Sequence, residues 1–208
     1  MELLEIKKEK LLLEFINNVI FEGFSINALR SASLQIFEDI NYHLVLFPGG
    51  LAEIAEYYEQ YSLVRLMKQL EETTGIKSIT KKIETALIYK IIKSNFPKEF
   101  LSEIAKFYLR PQNTPIAIKA AWNVSDAIWQ LAGDKSTNYN YYTKRGLLFS
   151  VYNASILYYL KDDSDGHAKT EEFIKNSLAR IVSIGVVKAK MKSLLSKIEN
   201  IPIVRMLL

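Results

Sequence analysis

No cysteine occurs among the 208 residues. That absence removes disulfides, thiolate metal sites and thiol nucleophiles together, so packing must stabilise the fold. Histidine is nearly absent too. The residues three before His43 and His167 are Ile40 and Ser164, so the Glu-x-x-His repeat of carboxylate-bridged metal pairs is missing. No Gly-x-Gly-x-x-Gly, Walker loop or His-Glu-x-x-His occurs either. The expectation is a protein that is not an enzyme and uses no metal or cofactor. No apolar run approaches the ~20 residues of a spanning helix. Acids in Met1-Glu2-Leu3-Leu4-Glu5 occupy the place where a signal or transit peptide carries basic residues, so a cytoplasmic bacterial protein or a mature organellar form is expected.

Glycine and proline are scarce, at 8 and 5 residues, and they divide the chain into helical lengths. Apolar residues recur at three and four, as in Leu11, Leu12, Phe15, Ile16, Val19 and Ile20, while two-residue alternation is absent. This predicts an all-α bundle of about nine to ten helices. The expected segments are 5–21, 25–36, 42–46, 51–74, 78–93, 97–109, 115–131 with Thr114 as cap, 139–160 and 168–184, followed by a C-terminal stretch. Within 51–74, Ile54, Tyr57, Tyr58, Tyr61, Val64 and Leu66 follow helical spacing, and Glu53, Glu56 and Glu59 read as a solvated acidic face. Segment 78–93 reads as helix with a basic outer face.

The most specific text is Gly133-Asp134-Lys135-Ser136-Thr137-Asn138 followed by Tyr139, Tyr141, Tyr142, Lys144 and Arg145. Gly133 suits the left-handed residue that closes a helix, and Ser136, Thr137 and Asn138 offer cap oxygens for the next. From spacing alone the tyrosines read as an inward-packed helix start, since aromatic stripes at helical spacing are usually core, with a surface block as the alternative. In the last segment Ile184, Val187, Met191, Leu194, Leu195 and Ile198 form an apolar stripe with Lys188 and Lys192 on one shoulder and Lys190 and Lys197 on the other. That pattern suits a helix in a membrane interface and equally one docked on its own domain or on a partner subunit.

Asp126, Trp129, Gly133-Asp134, Ser136-Thr137, Asn140, Tyr142-Thr143-Lys144-Arg145, Val151-Tyr152 and Asp162-Asp163-Ser164 together resemble the signature of the accessory proteins of ubiquinone (coenzyme Q) biosynthesis of the Coq-nine type. The likeness runs from about Leu12 to Arg180. It implies a fold like the TetR repressors, binding of isoprenoid lipid, and assistance to the demethoxyubiquinone hydroxylase. The opening segments also resemble the helix-turn-helix end of a TetR repressor. Between Phe24 and Gly50, however, the only fixed positive charge is Arg30, set against Glu38 and Asp39. Neutralising phosphates takes several basic residues, so DNA binding, and with it the alternative of a ligand-responsive TetR-type regulator, is disfavoured.

The expected organisation is a degenerate helix-turn-helix region at 1–50, a helical lipid-binding core and dimerisation region at 51–182, and an amphipathic tail at 183–208. The lipid pocket is expected along the helices holding Leu87, Phe107, Trp122, Ile128, Leu148 and Tyr152. Carried over from the family, the hydroxylase contact falls on Asp126, Ile128, Asn138, Tyr139, Tyr141, Tyr142 and Arg145. This sequence departs from the family at Asn138, usually an acid, and at Tyr141, usually a tryptophan. The likeness tips the C-terminal stripe toward the membrane. It also makes the last two core helices a homodimer contact, and places the protein peripherally on the bacterial inner membrane, or on the matrix side if organellar.

Overall fold

Helix α1 (Glu2–Glu22) forms where the first three- and four-residue pattern lay, burying Leu11, Leu12, Phe15, Ile16 and Val19. Ile20, expected inside, lies at the edge of that stripe and is exposed. In this computed structural model residues 2–71, 75–181 and 183 are described. The expected C-terminal stripe, from Ile184 to Ile198, lies outside them.

The chain continues through α2 (Ile26–Phe37), α3 (His43–Leu46), α4 (Gly50–Glu71), α5 (Ile79–Ile91), α6 (Lys98–Tyr108), α7 (Thr114–Leu131), α8 (Tyr139–Leu160) and α9 (168–181). Among the described residues there is no strand, and the fold is all-α as expected. Local chemistry sets the boundaries. Ser25 and Ser78 accept from Ala28 N and Lys81 N and so start α2 and α5. Gly133, at φ +88°, turns the chain out of α7, and Asn138 accepts from Asn140 N at the start of α8. Thr114 is not a cap. The 3₁₀ turn Pro111–Asn113 runs straight into α7, making Thr114 the first helical residue, while the buried Asn113 side chain donates to the Phe107 carbonyl at 2.8 Å.

Asp162 starts α9. Its Oδ2 accepts from Thr170 N and Oγ1 at 2.8 and 2.6 Å, and its Oδ1 from Ser164 N and Oγ at 2.9 and 2.6 Å. These bonds hold its carboxyl well below the ordinary carboxylate range. The Asp162-Asp163-Ser164 signature is therefore, in its first and third residues, a helix cap.

Two apolar cores result. The first gathers α1, α2 and α3 with Ile54, Ala55 and Tyr58 of α4 and Phe100, Ile104 and Phe107 of α6. The second joins Leu66 of α4 to α5, α7, α8 and α9, through residues such as Leu87, Val124, Ile128, Leu148 and Ile174. Leu101 packs against both. Where the two cores meet, small side chains on α6 and α7 (Ala105, Ala117, Ala120 and Ala121) leave space unfilled.

Candidate functional site

That space is a cavity of about 310 Å³ walled by five helices, α4 to α8. It lies at the small end of ligand pockets, which run roughly 300–1,000 Å³. Its sides are apolar: Ile91, Leu101, Ile104, the four alanines and Ile156. Leu109 and Leu157, 74% and 54% exposed, line it too and mark its mouth.

Its inner end is polar. Glu59 on α4 and Lys90 on α5 line the cavity and pair at 3.1 Å, with side chains 11% and 3% exposed. Lys90 Nζ also donates to Ser62 Oγ and faces the Tyr58 ring at 5.4 Å. Tyr108 donates to Glu59 Oε1 at 3.3 Å. Tyr58 and Tyr152, both on the cavity wall, make no hydrogen bond through their hydroxyls among the described residues. Burial first, and then the Glu59 charge, pushes the phenols of Tyr58, Tyr108 and Tyr152 well up. All three remain hydroxyl donors at any physiological pH.

Glu59 is thus no member of a solvated face, nor Lys90 of a basic one. Glu53 and Glu56 do keep to the surface, bonding Gly49 N and Lys119. Spacing alone could have given the warning. Glu59 falls on the stripe Ala55, Tyr58, Ser62 and Leu66, and Lys90 on Ile83, Leu87 and Ile91, so each charge sits on the buried face of its helix.

Of the residues expected along a lipid pocket, Tyr152 lines this cavity. Leu87, Ile128 and Leu148 lie in the second core and Phe107 in the first. Trp122 is half-buried on α7 with its ring 6.4 Å from that of Tyr142. Beside Tyr152 the wall is built instead from the four alanines together with Ile91, Leu101, Ile104 and Ile156.

The signature block is a second, separate construction. Arg145 is 2% exposed and among the largest fully buried side chains. Its Nε donates to Asp126 Oδ1, one terminal nitrogen donates to Asp134 Oδ2 at 3.1 Å, and its guanidinium lies 3.4 Å from the Tyr141 ring centre. Burial opposes its charge, but the two carboxylates outweigh burial and raise its pKa. Tyr141 donates to Asp126 at 3.1 Å. Lys144 donates to Asp134 and Ser136, and Trp129 donates to the Lys144 carbonyl. Burial alone would raise the Asp134 carboxyl; hydrogen bonds from Lys144, Ser136 and Arg145 bring it down to about 2. The network ties the end of α7 to the start of α8. Of the residues expected at a protein contact, Arg145 is interior, while Asp126 and Tyr141 are half-buried in this network. Asn138, Tyr139 and Tyr142 stand in the open, the tyrosines 77% and 64% exposed.

The sequence model of the COQ9 family matches residues 114–185, which hold α7, α8, this network and the Asp162 cap. The curated relatives include the rat ubiquinone biosynthesis protein COQ9, mitochondrial, 33% identical over 84% of this chain and 55% of its own length. The bovine protein of the same name is 28% identical over 84% of the chain and 54% of its own length. The chain belongs to the COQ9 family. A further relative, the probable ubiquinone biosynthesis protein coq9, mitochondrial, of Dictyostelium discoideum, is 25% identical over 82% of the chain. The chain spans about half the length of these COQ9 proteins. Among the described residues no helix is long and apolar enough to cross a membrane, and no acid or histidine cluster is arranged to hold a metal.

Proposed function

We propose that this COQ9-family protein is a non-catalytic lipid carrier of ubiquinone biosynthesis, which draws an isoprenoid quinone precursor from the bilayer and presents it to the demethoxyubiquinone hydroxylase. The observation that carries this reading is the cavity, apolar along its sides and polar at one buried end. A prenyl tail moved from bilayer to cavity exchanges one apolar surrounding for another, whereas exposing it to water costs about 0.8 kcal/mol per methylene. The mouth must therefore meet the membrane, and the protein must select on the head. A cavity of about 310 Å³ takes a head with the first part of a tail, and the remainder leaves past Leu109 and Leu157. The lysine-edged sequence from Ile184 to Ile198 is the part of the chain that binds the membrane surface. Asn138, Tyr139 and Tyr142 supply the exposed part of the hydroxylase contact, and α8 with α9 the contact in a homodimer. The site of action is the inner-membrane surface, on the matrix side in an organelle.

Ala120→Leu tests this by filling the cavity. Ala120 is 8% exposed and lines the cavity, so the larger side chain takes up part of the void. Mass spectrometry of organic extracts should recover a prenylated aromatic lipid from purified wild-type protein and at least fivefold less from the variant at equal thermal stability. Wild-type protein that yields no such lipid, or a variant that yields as much, contradicts the proposal.

A further inference from the structure

A buried charge pair, Glu59 with Lys90, stands at the cavity's inner end. Replacing such a pair by well-packed apolar side chains is often neutral or stabilising. Its surroundings show a site left partly unsatisfied. Glu59 accepts from Lys90 and Tyr108, which leaves lone pairs of a carboxylate that offers about four acceptor positions. Two hydroxyls beside it, those of Tyr58 and Tyr152, have no hydrogen-bond partner among the described residues, although the residues are only 3% and 6% exposed. Both hydroxyls lie on residues of the cavity wall, and these unused donors beside an unsaturated acceptor are what a ligand carrying both a donor and an acceptor can satisfy.

We infer that this end of the cavity is a receptor for the hydroxyl of an uncharged aromatic ring, with Glu59 accepting the ring hydroxyl's proton and Tyr58 and Tyr152 donating to oxygens on the ring. The inference rests on the reading of the cavity as a lipid site and adds which chemistry it selects. An anionic head, such as a phosphate, gains little here, because Glu59 already matches the charge of Lys90. The quinone form of such a precursor, bearing only carbonyls, leaves Glu59 without its third donor, whereas its hydroquinone form, with ring hydroxyls, meets both kinds of group. The apolar sides fit the ring's faces and the first carbons of a substituent leading to the mouth. Lys90 is a positioning residue, holding the carboxylate toward the cavity from a neighbouring helix. Tyr108 shares that task from α6.

The test compares 4-prenylphenol with its methyl ether, 4-prenylanisole, by isothermal titration of delipidated full-length protein. The ether keeps the apolar body and loses the donated proton. Wild-type protein should bind the phenol about tenfold more tightly, the margin one buried hydrogen bond to a charged acceptor provides. Tyr58→Phe/Tyr152→Phe removes two hydroxyls that bond no described residue, so the fold is preserved and binding of both probes should fall severalfold. Glu59→Met/Lys90→Met removes the acceptor and both charges together rather than stranding one, and should bring the phenol-to-ether ratio close to one while ether binding persists. Equal binding of the two probes by wild type and by both variants overturns the inference and leaves the cavity as a tail site. Failure of wild type to bind either probe overturns it together with the proposed function.

Discussion

Replacing Arg145 separates a partner surface from an internal strut. In Arg145→Met the apolar stem is kept and the guanidinium lost, which strands two carboxylates. Asp134 is the more serious, because its side chain is 5% exposed; Asp126, 25% exposed, recovers part of its hydration. Breaking a buried pair by removing one partner costs roughly 3–5 kcal/mol. Lys144 still bonds Asp134 at 2.7 Å, which places the cost near the lower end, about 3 kcal/mol. For a domain of this size each kcal/mol moves the midpoint by about 2–4 °C, so a fall of about 6–12 °C is expected by calorimetry or circular dichroism. Adding Asp134→Asn removes the stranded charge, and the pair of substitutions should cost less than the sum of the single ones. Tyr142→Ala, at a ring 64% exposed and resting on Trp122 and Tyr141, is the control and should shift stability by about 0.5 kcal/mol. A shift under about 2 °C for Arg145→Met, or strictly additive costs, would refute the buried network as a stabilising unit.

Acid should act through the two capping and bridging carboxylates. Asp134 and Asp162 are both depressed when folded, so what they contribute is present above the unfolded carboxylate range and is lost as pH falls from about 4 toward 2, readable as a midpoint falling steeply there. Asp162→Ala releases Ser164 and Thr170 at the start of α9 and should lower stability by about 1–2 kcal/mol, with early amide exchange confined to α9. For the hydroxylase contact, Tyr142→Ala should weaken pull-down of the enzyme at unchanged melting temperature. The same substitution at Tyr141 should lower both, since that ring covers Arg145 and its hydroxyl bonds Asp126.

Helix positions were legible where a boundary carries a local signal: Ser25, Ser78 and Asn138 cap, and Gly23 and Gly133 close. The cavity was not, because it is made of what is missing. Ala105, Ala117, Ala120 and Ala121 read as ordinary helix formers, and only the crossing of α6 with α7 turns them into a void. Large apolar residues such as Leu87, Ile128 and Leu148 drew attention to themselves and proved to be packing. Arg145 misled for a related reason. A cation beside tyrosines looks like surface chemistry until two aspartates 19 and 11 positions away, Asp126 and Asp134, are brought onto it by the α7–α8 corner. Glu59 and Lys90 lie 31 positions apart, and their pairing depends on how α4 meets α5.

The central claim is that the space between α4 and α8 is where lipid resides. A geranyl phenol carrying a diazirine on its tail, irradiated with the full-length protein and mapped by peptide mass spectrometry, tests it directly. Label concentrated on the cavity wall, at Ala105, Leu109, Ile156 and Leu157, and abolished by Ala120→Leu, is the predicted result. Label spread over the exposed surface, unchanged in that variant, would contradict the account.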